Sequence, residues 1–275
     1  MGTDKRARQK AGRQARLEAL QVSQQKAKRK RTTLRLGIGL VLVLLGAFLI
    51  SVLFGDDDGD DSVAATDTTA AETTDTTVQG PFTYGTGECP PADYSGDAKR
   101  TFDDAPAQCI DPAKSYLATF KTSEGDVVVQ LDTERTPGTT NNFVTLARWG
   151  YYDGTPIFRT DPSIDIIQGG GESASDSVGY TIPDEGGSFT YQPGDLTMAR
   201  TGAPNSAGAQ FFFGVGPAVS NLDAQGTYVT FGRVTSGLDV LESILALHKE
   251  DTTGAVLGGA PSRPVTIESV EITES

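Results

Sequence analysis

Two short segments of the chain combine an apolar strand pattern with side chains that could bind a peptide. In residues 156–171 (PIFRTDPSIDIIQGGG), Arg159 comes just before a turn at residues 161–163, and Gln168 ends a second apolar run. Because side chains alternate along a strand, Ile166 and Gln168 share one face, and Arg159 can lean over that face. An arginine and an amide beside apolar side chains can hydrogen-bond a peptide backbone, whereas neither suits acid–base chemistry.

The second segment, residues 194–216, has a similar composition. Its pattern predicts strands at Leu196–Arg200 and Gln210–Val215, joined by a loop of small and turn residues. Alternation puts Gln210 and Phe212 on one face of the second strand. Together the two segments predict a shallow apolar groove with amide donors.

The rest of the pattern predicts the elements that hold these two segments. Period-two alternation and turn residues predict many short strands, and only two stretches have helical spacing. This balance indicates a mainly-β domain over residues 113–275, folded as a closed antiparallel barrel. Further strands are predicted at residues 116–122, 126–132 and 265–272, and helices at residues 136–149 and 238–247.

The order of these motifs resembles that of the cyclophilins, a family of peptidyl-prolyl cis-trans isomerases. The family pattern is Phe-His-Arg, a turn, Phe-Met-x-Gln-Gly-Gly, then Met-Ala-Asn-Ala, a loop and Gln-Phe-Phe. The resemblance covers roughly residues 112–275 and implies a closed eight-stranded barrel capped by two helices, isomerase activity on X-Pro bonds, and no cofactor. The matching residues here are 157–159, 166–170, 198–201, 210–212, 222–223 and 229–232.

The resemblance also implies which residues form the site. Arg159 is predicted to be catalytic, because the matching family arginine hydrogen-bonds the carbonyl before proline and can polarise the proline nitrogen. Rotation about the peptide bond meets a barrier of about 18–20 kcal/mol, and it needs no nucleophile, metal or proton shuttle. Met198, Phe211 and Phe231 are predicted to belong to the barrel core. The predicted substrate-binding residues are Ile166, Phe212 and Leu222 in the proline pocket, Gln168 on the peptide backbone, Ala199, Arg200 and Gln210 in the neighbouring wall, and Tyr228.

The chain departs from the family pattern at several positions in the groove. Residues 157–159 read Ile-Phe-Arg, and one inserted residue puts either Ile164 or Asp165 in place of the family's pocket phenylalanine. Asn221 replaces a tryptophan and Tyr228 replaces a histidine. A less aromatic proline pocket favours the alternative to the enzyme, a proline-peptide binding or holdase module with little turnover. A third hypothesis is a structural adaptor in the cell envelope.

The charge of the chain is divided unevenly along its length. The net charge is −13, yet residues 1–35 carry 12 Lys and Arg against two acidic residues. Residues 36–54 are uncharged and rich in Leu, Val and Ile, which is long enough for one helix across a bilayer. The basic flank predicts a membrane anchor with a cytoplasmic N-terminus and an extracytoplasmic remainder. The alternative is a cleaved signal peptide, because residues 63–65 resemble a cleavage site.

Two regions separate this apolar segment from the barrel. Residues 55–80 are dominated by Asp, Thr, Ala and Gly, which predicts a disordered linker. Residues 81–112 contain the only cysteines, Cys89 and Cys109. Outside the cytoplasm we expect a disulfide between them, and two buried thiols are the alternative. The cysteines have no histidine neighbours and form no CxxC motif, so no metal site is expected.

The sequence therefore predicts an isomerase of X-Pro bonds in secreted or envelope polypeptides, held at the cell membrane by one N-terminal helix. The basic segment is expected to set topology and to attract anionic lipids, and no nucleic-acid partner is expected. The only histidine, His248, follows the second predicted helix and is expected to be exposed. The predicted divisions are residues 1–35, 36–54, 55–80, 81–112 and 113–275.

Overall fold

The computed structural model describes residues 82–91, 94–254 and 256–275, which all belong to one compact unit. The predicted basic segment, membrane anchor and linker, residues 1–80, lie outside the described residues. Among the residues that are described, no helix is both long and apolar enough to cross a bilayer. The transmembrane helix included in the predicted fold class therefore has no support in the structure.

One antiparallel sheet of eleven strands forms the body of the unit. The strands are β1 (Tyr116–Thr122), β2 (Gly125–Leu131), β3 (Thr155–Pro156), β4 (Arg159–Asp161), β5 (Ile166–Gly169), β6 (Asp195–Met198), β7 (Phe211–Gly214), β8 (Thr230–Ser236), β9 (His248–Glu250), β10 (Gly259–Pro261) and β11 (Thr266–Glu274). Their order across the sheet is β3-β11-β1-β2-β8-β6-β7-β5-β4-β10-β9.

The predicted closed eight-stranded barrel was wrong, because these eleven strands form a half-barrel. Two features account for the larger number of strands. Pro156 has no N–H to continue a ladder, and β3 and β4 are separate strands on either side of Ile157 and Phe158. In addition, β9 and β10 form a hairpin that pairs with β4 through Gly259 and Thr160. This hairpin extends the sheet beside Arg159.

Within the described residues, two α-helices and one 3₁₀ helix accompany the sheet. They are α1 (Pro137–Arg148), α2 (Leu238–Ala246) and the 3₁₀ helix Pro217–Leu222. Both α-helices lie within two residues of their predicted bounds. Proline occupies the first turn of α1, where its missing N–H has no partner to lose.

The core fills the inner face of the sheet with aromatic rings. Phe120 lies 5.7 Å from Phe143 and 5.5 Å from Phe211, centroid to centroid, and Phe143 lies 5.2 Å from Phe231. All four side chains are buried, as is Met198. The prediction that Met198, Phe211 and Phe231 belong to the core is confirmed. Since Phe211 and Phe213 point inward, alternation turns Phe212 to the outer face.

A segment before β1, residues 82–91 and 94–111, lies against α1, and we call it the strap. It contains the predicted disulfide between Cys89 and Cys109, so the alternative of two buried thiols is wrong. The Cys109 N–H donates to Asn141 Oδ1 at 2.6 Å, and Asn141 Nδ2 donates to the Ala107 carbonyl at 2.9 Å. The strap is thus hydrogen-bonded to the body of the fold.

Candidate active site

Four neighbouring strands place candidate residues in one row on the outer face of the sheet. The register sets Arg159 opposite Gln168, Gln168 opposite Phe212, and Phe212 opposite Thr197. Directly paired residues share a face, with Cβ atoms about 4.5–5.5 Å apart. Ile166 lies two residues before Gln168 and shares this face. The structure thus brings Arg159, Ile166, Gln168 and Phe212 together, as strand alternation predicted.

The Arg159 guanidinium is held by three acceptors. Its Nε donates to the Leu257 carbonyl at 2.7 Å, its Nη1 to Gln168 Oε1 at 2.9 Å, and its Nη2 to Asp161 Oδ2 at 2.7 Å. The side chain is only 15% exposed. A guanidinium carries five N–H groups, so two remain for a substrate. An arginine fixed in this way is oriented before the substrate arrives, which reduces the entropy lost on binding.

Asp161 is a member of the site that sequence reasoning missed. Its side chain is 8% exposed, and its Oδ1 accepts the Ser163 N–H at 3.1 Å and the Ser163 hydroxyl at 2.6 Å. Burial acts to raise the pKa of Asp161, but hydrogen bonds from Ser163 and the Arg159 charge outweigh it and lower the pKa below its usual value. Alternation could have found this residue, because it lies two positions after Arg159 on the same face.

The residues assigned to the proline pocket, which we call the floor, all belong to the buried apolar core. Phe212, Ile166 and Leu222 are 4%, 2% and 8% exposed, respectively. The Phe212 ring packs edge-to-face against Tyr228, with centroids 5.7 Å apart. Leu222 ends the 3₁₀ helix, whose Asn221 is exposed. The floor therefore offers ring edges and methyl groups to a ligand on the outer face.

The structure distinguishes the two candidates for the family's pocket phenylalanine. Asp165 has a left-handed backbone with φ 47°, and its carbonyl accepts the Val215 N–H at 2.8 Å. Its Oδ2 accepts the Ala218 N–H at 2.9 Å, at the start of the 3₁₀ helix. Ile164 instead packs on the apolar core and is half-buried. Of the two candidates, only Ile164 therefore adds an apolar side chain, whereas the Asp165 carboxylate is used in a backbone hydrogen bond.

A cavity of about 420 Å³, which we call the side cavity, adjoins the row that contains Gln168. Gln168 Nε2 donates to Gln210 Oε1 at 3.1 Å, and Gln210 Nε2 donates to the Asp176 carbonyl at 2.9 Å. These two amides connect Arg159 with the cavity. Its lining includes Tyr151, Gln168, Tyr180, Ala199, Arg200 and Gln210. The three residues assigned to the neighbouring substrate wall therefore lie together.

Arg200 joins its own loop to residues 227–228. Its guanidinium lies 5.3 Å from the centre of the Tyr228 ring, and it donates to the Thr227 carbonyl at 3.1 Å and to the Ala203 carbonyl at 2.7 Å. The Ala199 N–H donates to the Gln210 carbonyl at 2.9 Å, which joins the two sides of this wall.

The expectation for His248 was wrong. Its side chain is only 18% exposed, and its Nδ1 lies 2.8 Å from Thr160 Oγ1 on the neighbouring strand β4. The β9–β10 hairpin, which the sequence pattern did not reveal, carries this histidine against the sheet. Within the described part of the chain, no group of three His, Cys, Asp or Glu side chains is arranged to hold a metal ion.

Comparison with known proteins identifies the family. Residues 117–272 match the family described as cyclophilin type peptidyl-prolyl cis-trans isomerase/CLD. The peptidyl-prolyl cis-trans isomerase cyp18 of Streptomyces antibioticus is 37% identical over 162 residues, which span 56% of this chain and 96% of that protein. Peptidyl-prolyl cis-trans isomerase B of Escherichia coli is 35% identical over 169 residues, which span 58% of this chain and 100% of that protein.

A solved structure shares both the fold and part of the sequence. The crystal structure of a Cryptosporidium parvum cyclophilin type peptidyl-prolyl cis-trans isomerase has a TM-score of 0.50 and 26% identity to this chain. The match covers 58% of this chain and 99% of that structure. Since the family match also spans more than half of the chain, the chain belongs to the cyclophilin-type peptidyl-prolyl cis-trans isomerases.

Proposed function

We propose that this isomerase acts on X-Pro bonds of extracytoplasmic polypeptides and assists their folding, with Arg159 as the catalytic donor. The observation that carries the proposal is the state of Arg159. Three acceptors fix its guanidinium in the same row as Gln168 and Phe212, and two N–H groups remain for a substrate.

The proposed mechanism is preferential binding of the twisted amide. The proline ring rests on the floor formed by Phe212, Ile166 and Leu222, while the carbonyl before proline accepts a free N–H of Arg159. Twisting the bond breaks amide resonance and returns the lone pair to the proline nitrogen, where a nearby cation stabilises it. Only interactions stronger in the twisted state than in the planar states increase the rate. Each 1.36 kcal/mol of such preference gives about a tenfold acceleration.

The proposed location rests on the two cysteines. Cys89 and Cys109 form a disulfide. Disulfides persist in oxidising compartments and are rare in the cytoplasm. Secreted and envelope polypeptides meet the enzyme there. Thiol trapping in intact cells tests the location. Two free thiols in most of the protein molecules would contradict it.

The catalytic role of Arg159 is tested with Arg159→Lys in the purified full-length chain. Lysine keeps a positive charge for Asp161 but lacks the planar fork that reaches three acceptors. We expect kcat/KM for a proline-containing peptide to fall by about tenfold or more, because a donor to the twisted amide is lost. Arg159→Ala is less informative, since it would also leave the buried Asp161 without its cation.

Arg263→Lys is the matched control, because Arg263 forms an exposed ion pair with Glu124 outside the groove. It should turn over substrate like the parent. Equal activity of Arg159→Lys and the parent would remove Arg159 from the mechanism. A parent chain that binds proline peptides without accelerating their exchange would favour the holdase function instead.

A further inference from the structure

The strap lies outside the residues that match the family, yet it contacts residues that line the side cavity. Its Phe102 ring packs against Tyr151 and Tyr180, with both centroids at 6.2 Å. Tyr151 and Tyr180 both line the cavity. Phe102 thus stands behind two aromatic residues of a cavity that it does not itself line.

A second strap residue, Arg100, holds the backbone at Tyr151. The Arg100 guanidinium donates hydrogen bonds to the carbonyls of Tyr151 and Asp153. It also lies 5.9 Å from the centre of the Tyr151 ring. Tyr151 is therefore held by the strap at both its ring and its carbonyl.

The strap also approaches the backbone next to Tyr180. Gly179 has φ +102°, and a Cβ at this position would lie 2.7 Å from the Phe102 carbonyl oxygen. The close approach requires glycine. From the other side, the Tyr180 hydroxyl donates to Asn142 Oδ1 at 2.7 Å, and Asn142 Nδ2 donates to the Gly208 carbonyl at 2.8 Å. Tyr180 is thus enclosed between the strap and α1.

The loop that carries Tyr180 is anchored by the buried Val178 and Ile182 and by the Gln210 amide, and much of the rest of it is exposed. Residues 172–175, 177 and 179 are exposed. Segments with few buried contacts open at low free-energy cost. The contacts from Phe102 therefore add to a small number of anchors on this side of the cavity.

We propose that the disulfide-closed strap is part of the substrate-binding apparatus, and that Phe102 positions the Tyr151 and Tyr180 wall of the side cavity. The inference rests on the proposed function, because it takes the cavity to receive a substrate side chain near the proline. Phe102 and Arg100 both lie within the loop closed by Cys89 and Cys109. A preordered wall binds more tightly, since the substrate does not bear the entropy of ordering it. The strap acts on affinity, while Arg159 acts on the rate of rotation.

Phe102→Ala in the full-length chain is the test. The substrates are peptides in which each of the three residues before proline is changed, one at a time, from Ala to Phe, Glu or Lys. In the parent, KM should depend on the side chain at one of these positions. In Phe102→Ala we expect KM to rise about three- to tenfold for that position's preferred peptide, with kcat unchanged. The dependence of KM on that side chain should also flatten.

Tyr94→Ala is the matched control. Tyr94 lies in the same disulfide loop but packs against Trp149, with centroids 4.6 Å apart, and it does not line the side cavity. It should keep the parent's peptide preference and KM. Phe102→Tyr retains the ring and should also behave like the parent.

Parent-like KM values and preference in Phe102→Ala would overturn the inference. So would equal changes in Phe102→Ala and Tyr94→Ala, because they would indicate a general loss of stability. If Phe102→Ala does not fold, Phe102→Leu takes its place: it keeps an apolar side chain but loses the ring that packs on Tyr151 and Tyr180, so parent-like KM values and preference in it would overturn the inference. A parent without turnover would contradict the proposed function instead. The same panel measured as Kd by calorimetry would then test the wall separately from catalysis.

Discussion

Asp161 has two opposite effects on the ability of Arg159 to bind a substrate carbonyl. The carboxylate fixes the guanidinium, but it also neutralises part of the charge that a substrate carbonyl would meet. Breaking a largely buried ion pair is costly because it leaves one charge uncompensated. Ser163 satisfies the other carboxylate oxygen, so Asp161 itself is held in place. We expect orientation to dominate, since catalysis needs the donor at one particular position.

Asp161→Asn tests this balance. We expect kcat to fall by about tenfold, equal to about 1.4 kcal/mol, with a smaller change in KM. Asp195→Asn is the control, because Asp195 is also buried and paired with an arginine, Arg233 at 2.6 Å, outside the groove. Asp195→Asn should lose stability but keep the parent's kcat. Equal kcat values in Asp161→Asn and Asp195→Asn would contradict a positioning role for Asp161.

The pH dependence of the same variant follows from the pKa of Asp161. The folded pKa is lowered, so the stabilisation and orientation it provides are present above the unfolded pKa and are lost as pH falls through the folded pKa. The ratio of parent to Asp161→Asn turnover should therefore stay constant down to the ordinary Asp pKa of about 3.9, and it should approach one only at lower pH, as the pH falls through the lowered folded pKa. Taking the ratio removes acid effects that both proteins share.

The sequence predicted some members of the site and missed others for identifiable reasons. Arg159, Gln168 and Phe212 follow from strand alternation and from the family resemblance. Asp161 shares their face but was assigned to a turn. The Leu257 carbonyl lies 98 positions from Arg159 along the chain. Since every residue has a carbonyl, no side-chain pattern could have identified this acceptor.

At the scale of elements, predictability depended on strand length. The strand β1 was predicted at its observed bounds, because seven residues provide enough alternation. The strands β9 and β10 have three residues each, too few for a periodic signal, and were missed. The closed barrel was predicted from the resemblance and from the number of strands. Neither of them indicated the β9–β10 hairpin that extends the sheet. Tertiary pairing with β4, rather than local preference, forms that hairpin.

The left-handed residue Asp165 gives a prediction at this scale. Its left-handed backbone is uncommon for a residue with a side chain, and Asn tolerates it better than Ala does. Asp165→Ala should lower the free energy of unfolding by about 1–3 kcal/mol, whereas Asp165→Asn should be close to the parent. Asp165→Gly relieves the backbone but loses the bond to the Ala218 N–H, so it should fall between them. Denaturant unfolding of the three variants gives this order.

The same series reports on the groove. Loss of the Ala218 contact frees the start of the 3₁₀ helix that ends at Leu222. We therefore expect KM to rise in Asp165→Gly even where stability is largely kept. An Asp165→Ala variant as stable as Asp165→Asn would show that the left-handed backbone relaxes without cost.

For the molecule as a whole, the strap adds a second layer to the family domain. It covers α1, whose residues 138–147 are all buried. The Lys99 N–H donates to the Trp149 carbonyl at 3.0 Å, and the Trp149 indole donates to the Glu88 carbonyl at 3.4 Å. The sequence predicted the disulfide in this region but not its packing. Irregular backbone has no period, and its partners lie about 30 or more positions away along the chain.

Removing the disulfide should therefore destabilise the described unit as a whole. Cys89 and Cys109 are 20 positions apart. Closing a loop of this size is worth about 3 kcal/mol when the disulfide acts on the entropy of the unfolded chain. For a unit of this size, about 3 kcal/mol corresponds to a fall in Tm of about 6–12 °C. Cys89→Ser/Cys109→Ser is suitable, because Cys89 is exposed and Cys109 is half-buried, so serine leaves no deeply buried hydroxyl.

Thermal unfolding of the full-length chain measures this effect, with the reduced parent as a second arm. Both should show the lower Tm, because both lack the same loop closure. Even if its contacts with α1 kept the strap folded without the disulfide, reduction would still increase the entropy of the unfolded chain. Tm would therefore still fall. An unchanged Tm in both arms would therefore contradict loop closure as the stabilising effect. A fall in the serine variant without one in the reduced parent would instead point to the substituted side chains.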